Sequence, residues 1–180
     1  MNDDGTVKSL HFESGLELDV DLVIDCSGFK KLIIGDVFKT KWISYQDNLP
    51  VNRAMPFFLD IKEENYINYT LAWAQKYGWM WQIPTQERIG AGYVYCDQFI
   101  SPDQAQEEIE KVLGHKIEPR RDIKFNSGRL EKYWVKNCLA IGLSSGFLEP
   151  LEATSIHSTL IQIILFATEY LKKEMDFNNE

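Results

Sequence analysis

The sequence predicts an α+β chain: a mainly antiparallel sheet, one capped helix mid-chain, and a long buried helix near the C-terminus. Three observations carry this. Residues 53 to 97 hold four short apolar and aromatic runs with strand character. Ser101-Pro102 and Gly114 bracket a helical apolar stripe. A second stripe of helical period runs from about Glu152 to Lys173.

In order, Val7 to Phe12 alternates loosely, Ser14-Gly15 signals a turn, and Leu16, Leu18 and Val20 alternate again. Leu22-Val23-Ile24 is a short buried-strand pattern ending at Asp25-Cys26-Ser27-Gly28. Residues 29 to 50 read as a connecting segment. Strands are expected at Ala54–Asp60, Tyr66–Ala74, Trp79–Ile83 and Arg88–Cys96. Gly90 and Gly92 alternate on the last of these and leave room for a bulky neighbour, for which the tryptophans are the candidate. Ser101 is the N-cap of the mid-chain helix and Pro102 its first residue; Ala105, Ile109, Val112 and Leu113 form its stripe. Ile123–Phe125 and Cys138–Ile141 are short strands around the turn Asn126-Ser127-Gly128. The last helix carries Ile156, Leu160, Ile163, Ile164, Ala167 and Leu171 on its stripe, which Ile161, Leu165 and Phe166 widen, so burial is expected.

Composition narrows the function. The net charge of −8 argues against nucleic acid and against an anionic membrane surface, both of which want a basic face. No apolar run is long enough to cross a bilayer. The N-terminus has neither a basic segment nor an apolar one of signal-peptide type. Cys26, Cys96 and Cys138 are far apart and form no CxxC pair, so neither a disulfide framework nor a metal site is expected, and a reduced, cytoplasmic setting fits.

Two stretches stand out. In Gly78-Trp79-Met80-Trp81-Gln82-Ile83-Pro84, Trp79 and Trp81 share one strand face and form an indole wall, which Pro84 closes. Such a wall fills a core or lines a cavity, and by composition the core is the commoner outcome. From Cys138 to Ile156 a short apolar strand runs through a Gly/Ser loop into a helix start, an arrangement suited to anions and cofactors. Thr154 and Ser155 then offer first-turn N–H groups. Glu152 lies in the same turn, where the commoner role of a glutamate is to cap. Gly28 is able to admit a nucleotide or simply to end a strand, and His157 is read as structural.

Together these segments resemble the flavin-dependent tryptophan halogenases. Trp79-Met80-Trp81-Gln82-Ile83-Pro84 matches the WxWxIP signature of that family. Similar matches occur at Asp21 to Phe29, at Arg88 to Tyr95, at Asn126-Ser127-Gly128-Arg129, and most fully from Ala140 to His157. The resemblance implies part of an FAD-binding α/β fold of the aromatic-hydroxylase type. Residues 1–35 would end the FAD-binding part, 36–136 would form the substrate-side sheet and helix, and 137–180 the flavin and halide loop with the long helix. It also implies a chemistry. Reduced FAD (supplied by a separate flavin reductase), O2 and chloride or bromide yield hypohalous acid, which passes through a short tunnel to a lysine and a glutamate beside an indole-like substrate. By position in the motif, Glu152 resembles the catalytic glutamate, and Thr154 and Ser155 the halide-binding pair. Leu143, Gly146, Ile156 and Gly28 resemble cofactor-binding positions, and Trp79 and Trp81 the wall near the flavin.

Two departures matter. No GxGxxG occurs in the 180 residues, and Lys30 and Lys31 do not match the context of the family's lysine. The chain is therefore expected to be an internal piece that binds FAD weakly or not at all alone and does not halogenate. Second, Ser155 stands where many tryptophan-specific members carry glycine, which favours indole-like aromatics over free tryptophan. Competing readings are a fragment of an FAD-dependent aromatic monooxygenase, and a non-catalytic remnant acting as a binding module.

Overall fold

The computed structural model describes residues 1–62, 67–149, 151 and 154–171. In chain order the strands are β1 (Ser9–His11), β2 (Glu17–Asp19), β3 (Val23–Asp25), β4 (Trp42–Ser44), β5 (Arg53–Leu59), β6 (Leu71–Ala74), β7 (Gly78–Pro84) and β8 (Ile89–Tyr95). Helix α1 (Pro102–Leu113) follows, then β9 (Ile123–Lys124), β10 (Gly128–Leu130), β11 (Trp134–Val135), β12 (Cys138–Ala140), β13 (Gly146–Phe147) and α2 (Thr154–Leu165). One unit comprises residues 1–44 and 128–180, the other residues 45–127.

The 45–127 unit is a five-stranded antiparallel sheet in the order β6-β7-β8-β5-β9, with α1 packed on it. Strand register explains its two faces. Met80, Tyr93 and Met55 form one cross-strand row; Trp81, Gly92 and Pro56 form the next. Successive residues alternate faces, so Met80 and the tryptophans point oppositely. The Met80 face is the core, where Phe57, Ile89 and Tyr95 meet Ile100, Ala105, Ile109 and Ile117. Each buried Ile or Phe side chain here contributes about 1.5–3 kcal/mol, enough to anchor α1. The helix ends are as expected: Ser101 and Gln104 form a capping box, and Gly114 takes a left-handed φ of 75°. Val112 does not join the stripe and is exposed, because Ala105, Ile109 and Leu113 already face the sheet.

In the other unit β3 and β12 pair in parallel, Cys138 opposite Val23 and Ala140 opposite Asp25, and β11 joins β12. β10 pairs with both β4 and β13. Gly128 thus starts a strand rather than a turn. A Cβ there would lie 2.4 Å from the Ile43 carbonyl oxygen, so only glycine fits beside β4. The stretch expected as a mere connection from 29 to 50 contains β4 for the same reason. Val7, Val23, Ile34, Leu130, Cys138 and Ala140 form this unit's core.

The expectation that the last helix is buried fails. No residue of α2 is buried, and Ile156 is 68% exposed. Its half-buried positions are Thr154, Ser155, Thr159 and Gln162, so a polar stripe faces the body and the apolar stripe faces outward. The physical reason is hydrogen bonding: Gln162 is fastened to the loop preceding the helix, which turns the other side out. The helix passes into a π-helical turn at Phe166–Leu171, where Phe166 and Tyr170 pack on Trp134. The expected starts at Tyr66 and Glu152, and the end at Lys173, lie outside the described residues.

Candidate active site

The parallel pair β3–β12 organises the first site. Both strands end on the same side, so the segments that leave them lie together. After β3 comes the tight turn Gly28–Lys30; after β12 comes Gly142–Ser144, and the two turns are neighbours. The crevice outside the carboxyl ends of parallel strands is where open α/β sheets bind ligands. Sequence reasoning passed over the residue that holds it. Asp25 is 2% exposed, and its carboxylate accepts four hydrogen bonds. The Ser27 N–H and hydroxyl donate to Oδ1 at 3.0 and 2.6 Å, and the Ile33 and Ile34 N–H groups donate to Oδ2 at 2.9 and 2.8 Å. Burial pushes this acid up. The Ser27 hydroxyl and the three N–H donors outweigh that and hold it below the ordinary aspartate value. The signal was a charged residue directly after Leu22-Val23-Ile24, which reads equally well as a strand end.

The second loop is pinned as firmly. The Asp25 carbonyl oxygen accepts from the Ile141 N–H at 3.2 Å and from the buried Ser144 hydroxyl. Gln162 of α2 spans the loop: its Oε1 accepts from the Gly142 N–H at 3.1 Å and its Nε2 donates to Ser145 Oγ at 2.9 Å. Phe29 and Phe147 close the base edge-to-face, 5.3 Å between centroids. Among the predicted residues, Gly28, Leu143 and Gly146 are brought together by these loops, and α2, whose first turn holds Thr154, Ser155 and Ile156, packs on the second loop through Thr159 and Gln162. Thr159 donates to the Ser155 carbonyl oxygen at 2.7 Å, fixing that turn. Glu152 lies outside the described residues. Lys31 is engaged locally, donating to the Phe29 carbonyl oxygen at 2.8 Å with its ammonium 4.6 Å from the Trp42 ring centre.

The residues present fit the ring end of a flavin. Gly28 has a φ of +70°, and a Cβ built there would meet nothing within 4 Å, so its backbone borders open space. Leu143 and Ile156 supply apolar surface and Gly146 a small one. In the 45–127 unit, the Trp79 and Trp81 rings stand 6.0 Å apart on the sheet face opposite the core. The composition-based reading of this pair as core is therefore corrected, because alternation sends Met80 inward. The expected room at β8 is half realised. A Cβ on Gly92 would lie 2.1 Å from the Trp81 ring, whereas one on Gly90 would find only the Ile83 carbonyl oxygen, at 3.8 Å.

With this geometry in view, the likenesses are specific. The family model "Tryptophan halogenase" matches residues 1–175. The chain is 36% identical over 172 residues to the 7-chloro-L-tryptophan 6-halogenase KtzR of Kutzneria sp. (strain 744), covering 91% of this chain and 33% of that protein. The crystal structure of the tryptophan 6-halogenase SttH from Streptomyces toxytricini superposes with a TM-score of 0.88 at 34% identity, over 94% of this chain and 34% of that one. BrvH, a flavin-dependent halogenase from Brevundimonas sp. BAL3, gives 0.85 at 38% identity, over 93% and 34%. The chain thus spans about a third of the length of the relatives it matches. Its α+β architecture, its paired loops and these likenesses agree: the chain belongs to the tryptophan halogenase family.

Proposed function

We propose that this chain works as part of a flavin-dependent halogenase that uses O2 and chloride or bromide to halogenate an indole-like aromatic, with FAD reduced by a separate flavin reductase. The observation that carries the reading is the parallel β3–β12 pair, which sets the Gly28 and Leu143 turns side by side with α2 against the latter. Bound reduced FAD, with O2 and halide, supplies the oxidised halogen. Gly28 and Gly146 let the cofactor approach the backbone, and Leu143 and Ile156 contact it. Thr154 and Ser155 offer first-turn N–H groups to the halide. Glu152 orients the oxidant or accepts the proton lost as the ring regains aromaticity. Trp79 and Trp81, their rings tilted 56° to one another, serve as an apolar wall that excludes water.

Product analysis tests this directly. The enzyme containing this chain, given reduced FAD, O2, bromide and an indole, is expected to release bromoindole. A hydroxylated product with no bromide incorporation would place it instead among the aromatic monooxygenases. The wall has its own readout. Trp81→Ala exposes Gly92 and opens the indole face, so more hydrogen peroxide is expected per halogenated product. A peroxide assay with an unchanged ratio removes the wall from the mechanism.

A further inference from the structure

The sheet face that carries the tryptophans holds a second feature beside them. Phe58, the penultimate residue of β5, is 39% exposed. Two guanidinium groups cover its ring: the Arg88 and Arg120 carbons stand 3.7 and 4.9 Å from the ring centre. The quadrupole of the ring attracts each cation, but the two repel one another. Neither has a carboxylate partner among the described residues. The contrast with Arg53 is direct, since Arg53 is held by Asp97 and Asp122 at 2.9 and 2.7 Å. A guanidinium held over a ring still carries N–H donors in a fork that matches a carboxylate.

Register supplies the rest of the site. Phe58 and Ile83 stand opposite Gly90 from its two sides. They are thus separated by two strand spacings, roughly 9–10 Å, with a bare glycine between them. Ile83 is 45% exposed, and Trp81 follows it on the same face. The result is a short trough with an apolar floor and one cationic end.

We propose that this trough binds an aromatic carboxylate, the ring over Gly90 and the acid group on Arg88 and Arg120. The ligand is a simple aryl or indolyl acid rather than a zwitterionic amino acid. Two cations converge on the site, neither is paired with a carboxylate among the described residues, and both would repel an ammonium group. This rests on the halogenase reading only for the identity of the ring. Binding is measured without turnover, so failed halogenation with intact binding would count against that reading alone.

Isothermal titration of the 180-residue chain tests it with indole-3-acetate, indole and tryptophan as probes. Indole-3-acetate is expected to bind most tightly and to weaken with added salt. Arg88→Gln and Arg120→Gln are each expected to weaken it by about tenfold, with little effect on indole. Gly90→Val fits the strand, because its nearest contact is at 3.8 Å, and is expected to abolish binding with an unchanged circular dichroism spectrum. Equal affinity for indole and indole-3-acetate, no binding of the acid, or unchanged binding in the arginine variants would each overturn the proposal.

Discussion

Asp25→Asn is expected to destabilise its unit by about 2–4 kcal/mol, among the largest effects of any conservative change in the chain. The buried carboxylate accepts two donors on each oxygen. An asparagine keeps one acceptor oxygen and turns an NH2 group toward N–H groups that also donate. With its NH2 toward Ile33 and Ile34 two N–H donors lose their acceptor; with its NH2 toward Ser27 the hydroxyl can turn to accept but the Ser27 N–H loses its own, in a site that is 2% exposed. Urea denaturation measures the loss. Asp21→Asn, at an exposed position just before the same strand, is the control and should stay within about 0.5 kcal/mol. Equal midpoints for the two variants would show that the network is not holding the loops. The acid limb gives the sign independently. The folded value is depressed, so the contribution is complete above the unfolded aspartate value of about 3.9. It is lost as pH falls through the lower folded value. The native chain should therefore lose stability below about pH 4 more steeply than Asp25→Asn, which has no such proton to take up.

In the enzyme containing this chain, Glu152→Gln is expected to cut halogenation by about 100-fold or more while leaving FAD affinity little changed. A neutral amide cannot accept a ring proton at neutral pH, and it lacks the charge that would orient an electrophilic oxidant. The cofactor contacts proposed for Gly28, Leu143, Gly146 and Ile156 are made by other residues and survive the change. Single-turnover bromination followed by mass spectrometry reads the first quantity, and flavin titration reads the second. Unaltered turnover in the variant removes Glu152 from the chemistry.

Much of this was legible in the residues, and the misses share a cause. Ser101, Pro102 and Gly114 delimit α1 because caps are local chemistry. The β5 to β8 strands were readable because alternation is local too. What one strand cannot show is which face its neighbours bury. Trp79 and Trp81 looked like core until pairing put Met80 opposite Tyr93. Gly92 is filled by the Trp81 indole, whereas a Cβ at Gly90, two residues earlier, would meet nothing closer than the Ile83 carbonyl oxygen at 3.8 Å. The apolar stripe of α2 was real and its burial was not: periodicity identifies a face, whereas Gln162 decides which side is held down. Asp25 was missed because its partners, Ile33, Ile34 and the loop after β12, are reached only through the fold.

The place where the 45–127 segment leaves and rejoins the chain has a consequence for how this protein tolerates change. Ser44 pairs with Gly128, and the Tyr45 N–H donates to the Ser127 carbonyl oxygen at 2.8 Å, so the segment begins and ends at one point. A stretch whose ends are already clasped is, to the rest of the chain, a long loop of fixed mouth. The entropy of closing such a loop grows only logarithmically with its length, about 0.6 kcal/mol for each doubling. Lengthening or trimming the hairpins of the inserted sheet therefore leaves the closure of the β3–β12 pair nearly untouched. The sheet of residues 45–127 can be remodelled by insertion and deletion while the loops after β3 and β12 keep their register.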